Sequence, residues 1–353
     1  MKILLIGDFS SLHKNLQDGL RELGHTCVLA SSGDGWKSVS RDIDYGSTRK
    51  GFLGAIERRI KVFKALYNIK DFDVVQFVGP FCIFHLPFLT KMLINRLRKN
   101  NRKLFLVAAG TDSFYLRNAD AKMEYSPVND YLRFDVRRKQ HPYSSIYNVR
   151  FNQWFAKVVD GIIPIVHEYS VCYEGHNNLR PIIPIPLNIQ KVSPSVPLSS
   201  DPIVVFHGLT RPGFKGTRFV REAFDILSEK YKGHAEFVID GNLPLDQYLS
   251  LIEKTHIIVD QVNSYSGGMN AIYGLAMGKV VVGGNEGGHS DEAGSICPII
   301  NVKPNVESVC SGVEEAINRV KSDGDYFVKS QYYAEVRHNY LKIAQKYVDE
   351  WYK

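Results

Sequence analysis

The chain has 353 residues, 44 Lys and Arg against 37 Asp and Glu for a net charge of +7, and 44% hydrophobic residues. That length suits two domains better than one, and the mixture excludes a fibrous repeat or a largely disordered chain. The five cysteines (Cys27, Cys82, Cys172, Cys297, Cys310) are scattered with no C-x-x-C pair, which removes zinc and dithiol-redox readings and leaves free thiols in a reducing compartment as the expectation.

Short apolar runs alternate with helical patterns from the first residues onward. Met1–Asp8 holds too short an apolar run for a signal peptide and reads as a first strand, Lys2–Ile6. The next predicted strands are Thr26–Ala30, Asp73–Val78, Lys103–Ala108 and Gly161–Val166. Val74–Thr90 is the least charged stretch, but Gln76, Pro80, His85 and Pro87 interrupt it, so it reads as strand, loop and helix start rather than a bilayer span. Helical spacing appears over Leu12–Leu23, Phe52–Ile69 and Phe88–Lys99. Past residue 200 the predicted strands are Pro202–Phe206, Ala235–Ile239, His256–Val259 and Lys279–Val282, with helices over Thr217–Lys230 and Gly268–Met277. Thr217 follows Gly216 where an N-cap belongs. Val336–Trp351 is a long amphipathic pattern.

Repeated strand–helix–strand units imply parallel sheets covered on both faces. The series pauses over Arg180–Pro202, dense in Pro and Ser as a linker is. The fold class expected is therefore α/β, two Rossmann-like domains joined near residue 190. In such pairs a ligand sits in the cleft outside the carboxyl ends of the strands. Ser113–Gln153, rich in Tyr, Arg and Asp, reads as an insertion. The residues leave open whether it is a lid, an acceptor-binding region or surface padding.

Charge divides unevenly. Residues 1–190 hold 27 Lys and Arg against 17 Asp and Glu, net +10, and residues 191–353 hold 17 against 20, net −3. Basic clusters at Arg58–Lys64, Arg96–Lys103 and Arg137–Lys139 suit an anionic membrane surface, a phosphorylated acceptor or a solvated face with no partner. No nucleic-acid module or aromatic-interleaved basic stretch accompanies them.

Two loops carry the chemistry. His207-Gly-Leu-Thr-Arg211-Pro-Gly-Phe-Lys215-Gly-Thr217 runs from a strand end into a helix, so that Arg211 through its planar fork and Lys215 as a point charge can converge on one anion. Asp260–Val282 contains Gly267-Gly268 opening a helix just after a strand, which leaves unobstructed N–H groups where the helix dipole favours phosphate. The alternative is a pair of ordinary flexible loops.

These two segments resemble the donor domain of GT-B glycosyltransferases, and are most similar to the large retaining family that builds lipid-linked and surface polysaccharides. The family's G-R-L-x-x-E-K-G loop corresponds to His207–Thr217, its L-x-G-x-G to Val238–Gly241, and its E-G-F-G-L-P-x-x-E-A-M-A-x-G-x-P-V-V to Tyr265–Val281. Gly110-Thr111-Asp112 stands where the family often has His-Gly-x-Asp. The resemblance implies a GT-B fold with an acceptor domain over 1–190, a donor domain over 191–335, and a terminal helix 336–353 crossing back to the first domain. It implies transfer of a sugar, with retention, from a nucleoside diphosphate sugar to a glycan or lipid-linked saccharide.

Residue by residue, the resemblance implies that Arg211 and Lys215 hold the donor diphosphate. His207, Gly241, Gly267, Gly268, Met269 and Asn270 line the donor side. Tyr265 and Tyr273 occupy the places of the two glutamates of E-x7-E, and Ala109 that of a sugar-contacting histidine. A tyrosine hydroxyl can hydrogen-bond a ribose but carries no charge at neutral pH. Ser10, Ser11, Gly110, Thr111 and Asp112 fall on the acceptor side. Should the reaction invert, a base is needed, with Asp8, Asp112, His167 and Glu168 as candidates. An Asp at position 8 more often caps the following helix. His25 follows a helix end and suits its carbonyls, whereas His85 and His289 fall in loops. No cofactor or metal is expected, because no His/Asp/Glu set has ligand spacing. The expected site of action is the cytoplasm, peripheral to the inner face of a membrane. The rival functions are a non-catalytic GT-B-like nucleotide-sugar binding or scaffold protein, which the two missing glutamates support, and a sugar-nucleotide 2-epimerase.

Overall fold

The computed structural model describes residues 1–34, 39–49, 51–83, 86–193, 202–241, 250–286 and 296–353. Among them the chain forms two sheets in which every strand pairing is parallel. The first sheet has the order β3-β2-β1-β4-β5-β6. Its strands are β1 (Lys2–Ile6), β2 (Thr26–Ser31), β3 (Ile43–Asp44), β4 (Val74–Val78), β5 (Lys103–Ala108) and β6 (Gly161–Pro164). The second has the order β11-β10-β9-β7-β8, from β7 (Ile203–Gly208), β8 (Ala235–Asp240), β9 (Ile257–Val259), β10 (Val280–Gly283) and β11 (Ile300–Asn301). Near-continuous apolar runs explain the parallel arrangement: Ile3, Leu4, Leu5 and Ile6 are all buried, as strands covered by helices on both faces must be.

The chain divides into two compact units, one of residues 1–122, 142–188 and 340–353, the other of 123–141 and 189–339. It therefore passes between units four times, where a cut at residue 190 with a returning tail would give two passages. The candidate insertion is the reason. Its ends are regular helices, Ser113–Lys122 and Ile146–Val158, in the first unit, whereas the strap between them, residues 123–141, folds on the second.

The terminal pattern is two helices, Tyr326–His338 and Tyr340–Tyr352, broken at Asn339 where ψ turns to 121°. The second packs on the Leu12–Glu22 helix so closely that a Cβ added at Gly19 would lie 2.5 Å from the Tyr340 carbonyl oxygen. Tyr340, Tyr347 and Trp351 are buried there, each contributing about 2–3 kcal/mol through apolar area removed from water. A line of hydrogen bonds ties this helix to the loop after β1. Trp351 Nε1 donates to Gln76 Oε1 (3.1 Å), Gln76 Nε2 donates to His13 Nε2 (3.2 Å), and His13 Nδ1 donates to the Gly7 carbonyl (2.7 Å). Burial holds the His13 imidazole neutral, its pKa lowered to about 4.

Three local expectations change. The helix Thr217–Lys230 is preceded by Gly216 at φ 72° as its N-cap residue, with no side-chain cap, so Thr217 is its first residue. The amphipathic helix Val306–Ser322, which buries Val309, Val313, Ala316 and Ile317, was not among the predicted elements. Nor were the two-residue strands β3 and β11, too short to show any period. His85, His289 and part of the linker lie outside the described residues.

Candidate functional site

In the second unit β8 and β9 flank β7 on opposite sides, so the strand order reverses between β7 and β9. Loops leaving the carboxyl ends of such a pair form the usual ligand position of doubly wound sheets. They are the two loops that the sequence singles out. The first leaves β7 through Leu209–Arg211 and a four-residue helix, Pro212–Lys215, which ends at Gly216. The second runs from Asp260 to Gly268, where the helix Met269–Ala276 begins.

Lys215 lies at their meeting point, 5% exposed. Its Nζ stands 3.0 Å from Asp260 Oδ1, close enough for an ion pair but without hydrogen-bond alignment. The other Asp260 oxygen accepts the Gly268 N–H at 3.3 Å. A Cβ added at Gly208 would lie 3.5 Å from Lys215 Nζ and 3.6 Å from Asn270 Nδ2, so an ammonium and an amide group converge over this glycine. Met269 and Asn270 open their helix, and first-turn N–H groups have no partner within the helix. The Arg211 guanidinium lies 3.9 Å from the Phe214 ring centre and 5.0 Å from that of Tyr131, within reach of cation–π attraction to both.

Other donor-side candidates are placed differently. His207 is a correction. It is fully buried, with Nδ1 2.8 Å from the Val259 carbonyl and Nε2 2.8 Å from Thr217 Oγ1. Burial, helped by the Lys215 charge, lowers its pKa to about 4. Both ring nitrogens are used within the protein, and the imidazole braces β7 against β9 and the next helix. Gly268 is engaged too, its N–H directed to Asp260. Gly241 donates its N–H to Asp240 Oδ1 (2.6 Å) and packs on the Leu209 backbone, a close fit between loops. Gly267 packs against Ala271 and Ile299. The Tyr265 hydroxyl accepts the Glu124 N–H at 2.8 Å and its ring lies 4.5 Å from that of Tyr125. Tyr273 is half-buried, and burial raises its hydroxyl pKa above the ordinary phenol value, which keeps it neutral.

In the first unit the order reverses between β1 and β4. Asp8 follows β1, buried, and its Oδ1 accepts the His13 N–H at 3.0 Å in the first turn of the Leu12–Glu22 helix. That is the capping role, with the helix dipole favouring the carboxylate. Ser10 and Ser11 adopt left-handed φ of 51° and 63°, and the Ser10 N–H donates to Asp34 Oδ2 at 2.8 Å. Gly110, at φ 74°, packs on the Phe9 ring, and Thr111 follows it half-buried. Asp112 is fully buried, accepting from the Tyr115 N–H (2.8 Å) and the Tyr173 hydroxyl (2.6 Å). Burial raises its pKa to about 6 despite these bonds. Asp112 thus caps the Ser113–Lys122 helix. His25 Nδ1 lies 3.1 Å from the terminal amino group of Met1.

Four carboxylates near the second-unit loops were not singled out from sequence. Asp260 is described above. Glu286 accepts from the Tyr125 hydroxyl at 2.9 Å beside Tyr265. Asp130 and Asp135 come from the strap. Only tertiary contact reveals them, because their partners lie far away in sequence. Among the described residues no group of three or more His, Cys, Asp or Glu could hold a metal ion. No described helix is long and apolar enough to cross a membrane.

No protein-family model matches the sequence, and no curated protein matches it significantly. Solved structures do. Sucrose-phosphate synthase from Thermosynechococcus elongatus superposes with TM-score 0.63 at 13% identity, covering 99% of this chain and 98% of that one. The fold is GT-B. HepE from Anabaena, solved in complex with UDP-glucose, superposes with TM-score 0.61 at 13% identity over 99% of this chain and 98% of its own. The catalytic domain of starch synthase IV from Arabidopsis thaliana, bound to ADP and acarbose, gives 0.59 at 10% identity over 100% and 99%. These GT-B neighbours span the chain almost end to end, so both sheets are parts of one known architecture.

Proposed function

We propose that the chain is a glycosyltransferase that moves a sugar from a nucleoside diphosphate sugar to a saccharide acceptor, on a growing or lipid-linked glycan. The observation that carries this reading is the convergence of Lys215 Nζ and Asn270 Nδ2 over Gly208, at the switch point of a GT-B sheet. Structural neighbours of this fold were solved with UDP-glucose and with ADP.

In this reading Arg211 and Lys215 take the charge that builds on the leaving diphosphate, aided by the first-turn amides of Met269 and Asn270. Fixed cations and dipoles in a half-buried site lower the barrier without reorganising during reaction. A retaining reaction of this kind needs no protein nucleophile: the acceptor hydroxyl attacks on the face the diphosphate leaves, and positioning supplies the rest. Tyr273 would hydrogen-bond the ribose. Asp8 and Asp112 act as caps, and the first-unit loops that carry Ser10, Ser11, Gly110 and Thr111 would meet the acceptor.

One observation favours a second reading, a GT-B-like scaffold protein that neither binds a nucleotide sugar nor catalyses transfer. Lys215 already faces Asp260 at 3.0 Å, so an incoming diphosphate must share its cation with a buried carboxylate. Thermal shift and calorimetry with UDP, GDP, ADP, TDP and CMP separate the two. Transfer predicts saturable binding of one diphosphate nucleotide, weakened at least about tenfold in Arg211→Ala/Lys215→Ala, a loss of about 1.4 kcal/mol or more. A folded protein that binds none of the five belongs to the second reading.

The acceptor reading extends to an anionic membrane surface. Phe52, Leu53 and Phe88 are 76%, 64% and 79% exposed, and exposed Lys64, Arg98 and Lys99 lie on the same two helices, Gly51–Leu66 and Pro87–Asn100. Exposed aromatic and aliphatic side chains at the start of helices that carry exposed lysines and arginines toward their ends suit the boundary of anionic lipid. Flotation with anionic liposomes should recover the protein at low salt and lose it at high salt; no salt-sensitive binding ends the proposal.

A further inference from the structure

The strap, residues 123–141, reaches both loops of the candidate donor site. At its start Glu124 donates its N–H to the Tyr265 hydroxyl, and Tyr125 lies against the Tyr265 ring. Further along, the helical turns Val128–Asp130 and Tyr131–Val136 sit on the Arg211–Gly216 segment. Asp135 accepts two backbone N–H groups there, Gly213 at 3.2 Å on one oxygen and Phe214 at 2.8 Å on the other. Asp130 Oδ2 accepts from Arg218 Nε at 2.8 Å and Asn263 Nδ2 at 3.2 Å, and Asn263 Nδ2 also reaches the Gly213 carbonyl at 2.9 Å. A Cβ added at Gly213 would collide with the Asp130 carbonyl oxygen, so the two backbones touch and only glycine fits.

We infer that Asp135 is a positioning residue of the donor site: its carboxylate holds the Pro212–Lys215 turn in the shape from which Lys215 and Arg211 are presented. This deepens the proposed function and rests on it. The physical reason lies in the size of the turn. Four residues cannot satisfy their own leading N–H groups, and Pro212 contributes none. Asp135 supplies both missing acceptors through charge-assisted bonds, the stronger kind. The turn is closed by the Lys215 N–H to the Arg211 carbonyl (2.9 Å) and fastened on its far side by the Val262 N–H to the Lys215 carbonyl (3.1 Å). Strap and β9 loop thus grip it from opposite ends. Tyr131, four residues before Asp135, lies beneath the Arg211 guanidinium and meets Phe214 edge-on at 6.0 Å. The same turn of strap therefore touches both the Arg211 guanidinium and the backbone that ends in Lys215.

The test uses Asp135→Ala and Asp135→Asn in the full chain, read by calorimetry with the nucleotide panel and by amide hydrogen exchange over residues 208–219. If the parent binds a nucleoside diphosphate, Asp135→Ala should weaken it about tenfold and Asp135→Asn, which keeps one acceptor, by about threefold, as losses of one or two charge-assisted bonds imply. Exchange across both sheets should stay unchanged, which a general loss of folding would not allow. Equal affinity in Asp135→Ala overturns the inference, and tighter binding overturns it too, since the carboxylate would then be a competitor for the phosphate. If the parent binds no nucleotide, the transferase reading fails by itself and exchange decides the role of Asp135. Faster exchange spreading to Lys215 and Gly216 supports it, and loss confined to Gly213 and Phe214 overturns it.

Discussion

At the first unit's switch point, between β1 and β4, the polar groups are turned to internal work. Asp8 caps a helix through the His13 N–H and His13 spans Gly7 and Gln76, while Asp112, after the neighbouring β5, caps the Ser113–Lys122 helix and holds Tyr173. At the second unit's switch point, between β7 and β9, one histidine is used in the same way, but a buried ammonium and carboxylate stand 3.0 Å apart without hydrogen-bond alignment. The same topology thus yields one point where buried carboxylates are held by helix N–H groups and one where a buried carboxylate faces a buried ammonium. A doubly wound sheet provides the place, and the side chains at the strand ends decide whether anything can bind there.

The contrast breaks most sharply at Lys215. Lys215→Met should destabilise the second unit by about 3–5 kcal/mol, because Asp260 is left buried and unpaired, and Lys215→Met/Asp260→Asn should recover part of that. Urea unfolding monitored by hydrogen exchange should place the loss in the second sheet and leave the first sheet's protection unchanged. An equal loss in both would mean that the two switch points are not separable.

The two histidines sharpen what the units share. His13 and His207 have folded pKa values lowered to about 4 from the ordinary 6.5. Between those values the unfolded chain binds more protons, so their contribution to stability is present above pH 6.5 and lost as pH falls toward 4. Asp112, raised from 3.8 to about 6, opposes them: it favours the fold below pH 3.8 and loses that contribution as pH rises through 6. His207→Gln should therefore flatten the rise of unfolding free energy between pH 4 and 6.5 by up to about 1.4 kcal/mol per pH unit. An unchanged slope would mean that His207 is not buried neutral.

Much of the fold was legible in the sequence because both sheets are made of short apolar runs, such as Ile3–Ile6, set between helical stripes. The loops that follow β7 and β9 showed in glycines placed between strand and helix. His207 misled because it is next to the loop in sequence; its ring instead enters the core and reaches Val259, 52 residues away. Asp135 was invisible for a related reason. Its partners are 78 and 79 residues distant, and a carboxylate in a Tyr- and Arg-rich stretch carries no local mark of what it will bond. Side-chain roles that depend on two remote segments meeting leave no periodic signal.

The four passages between units also bear on how the molecule can be made. Severed at the linker, the later half would lack residues 123–141 and expose Gly213 and Phe214 without their acceptor, and the earlier half would lack the helix that buries Tyr340, Tyr347 and Trp351. During synthesis the first unit waits for residues 340–353, which emerge after the whole of the second, while the second needs a strap made long before its own sheet. Neither unit can be completed from contiguous chain, so their assembly is interleaved and depends on contacts of long sequence separation, which form slowly.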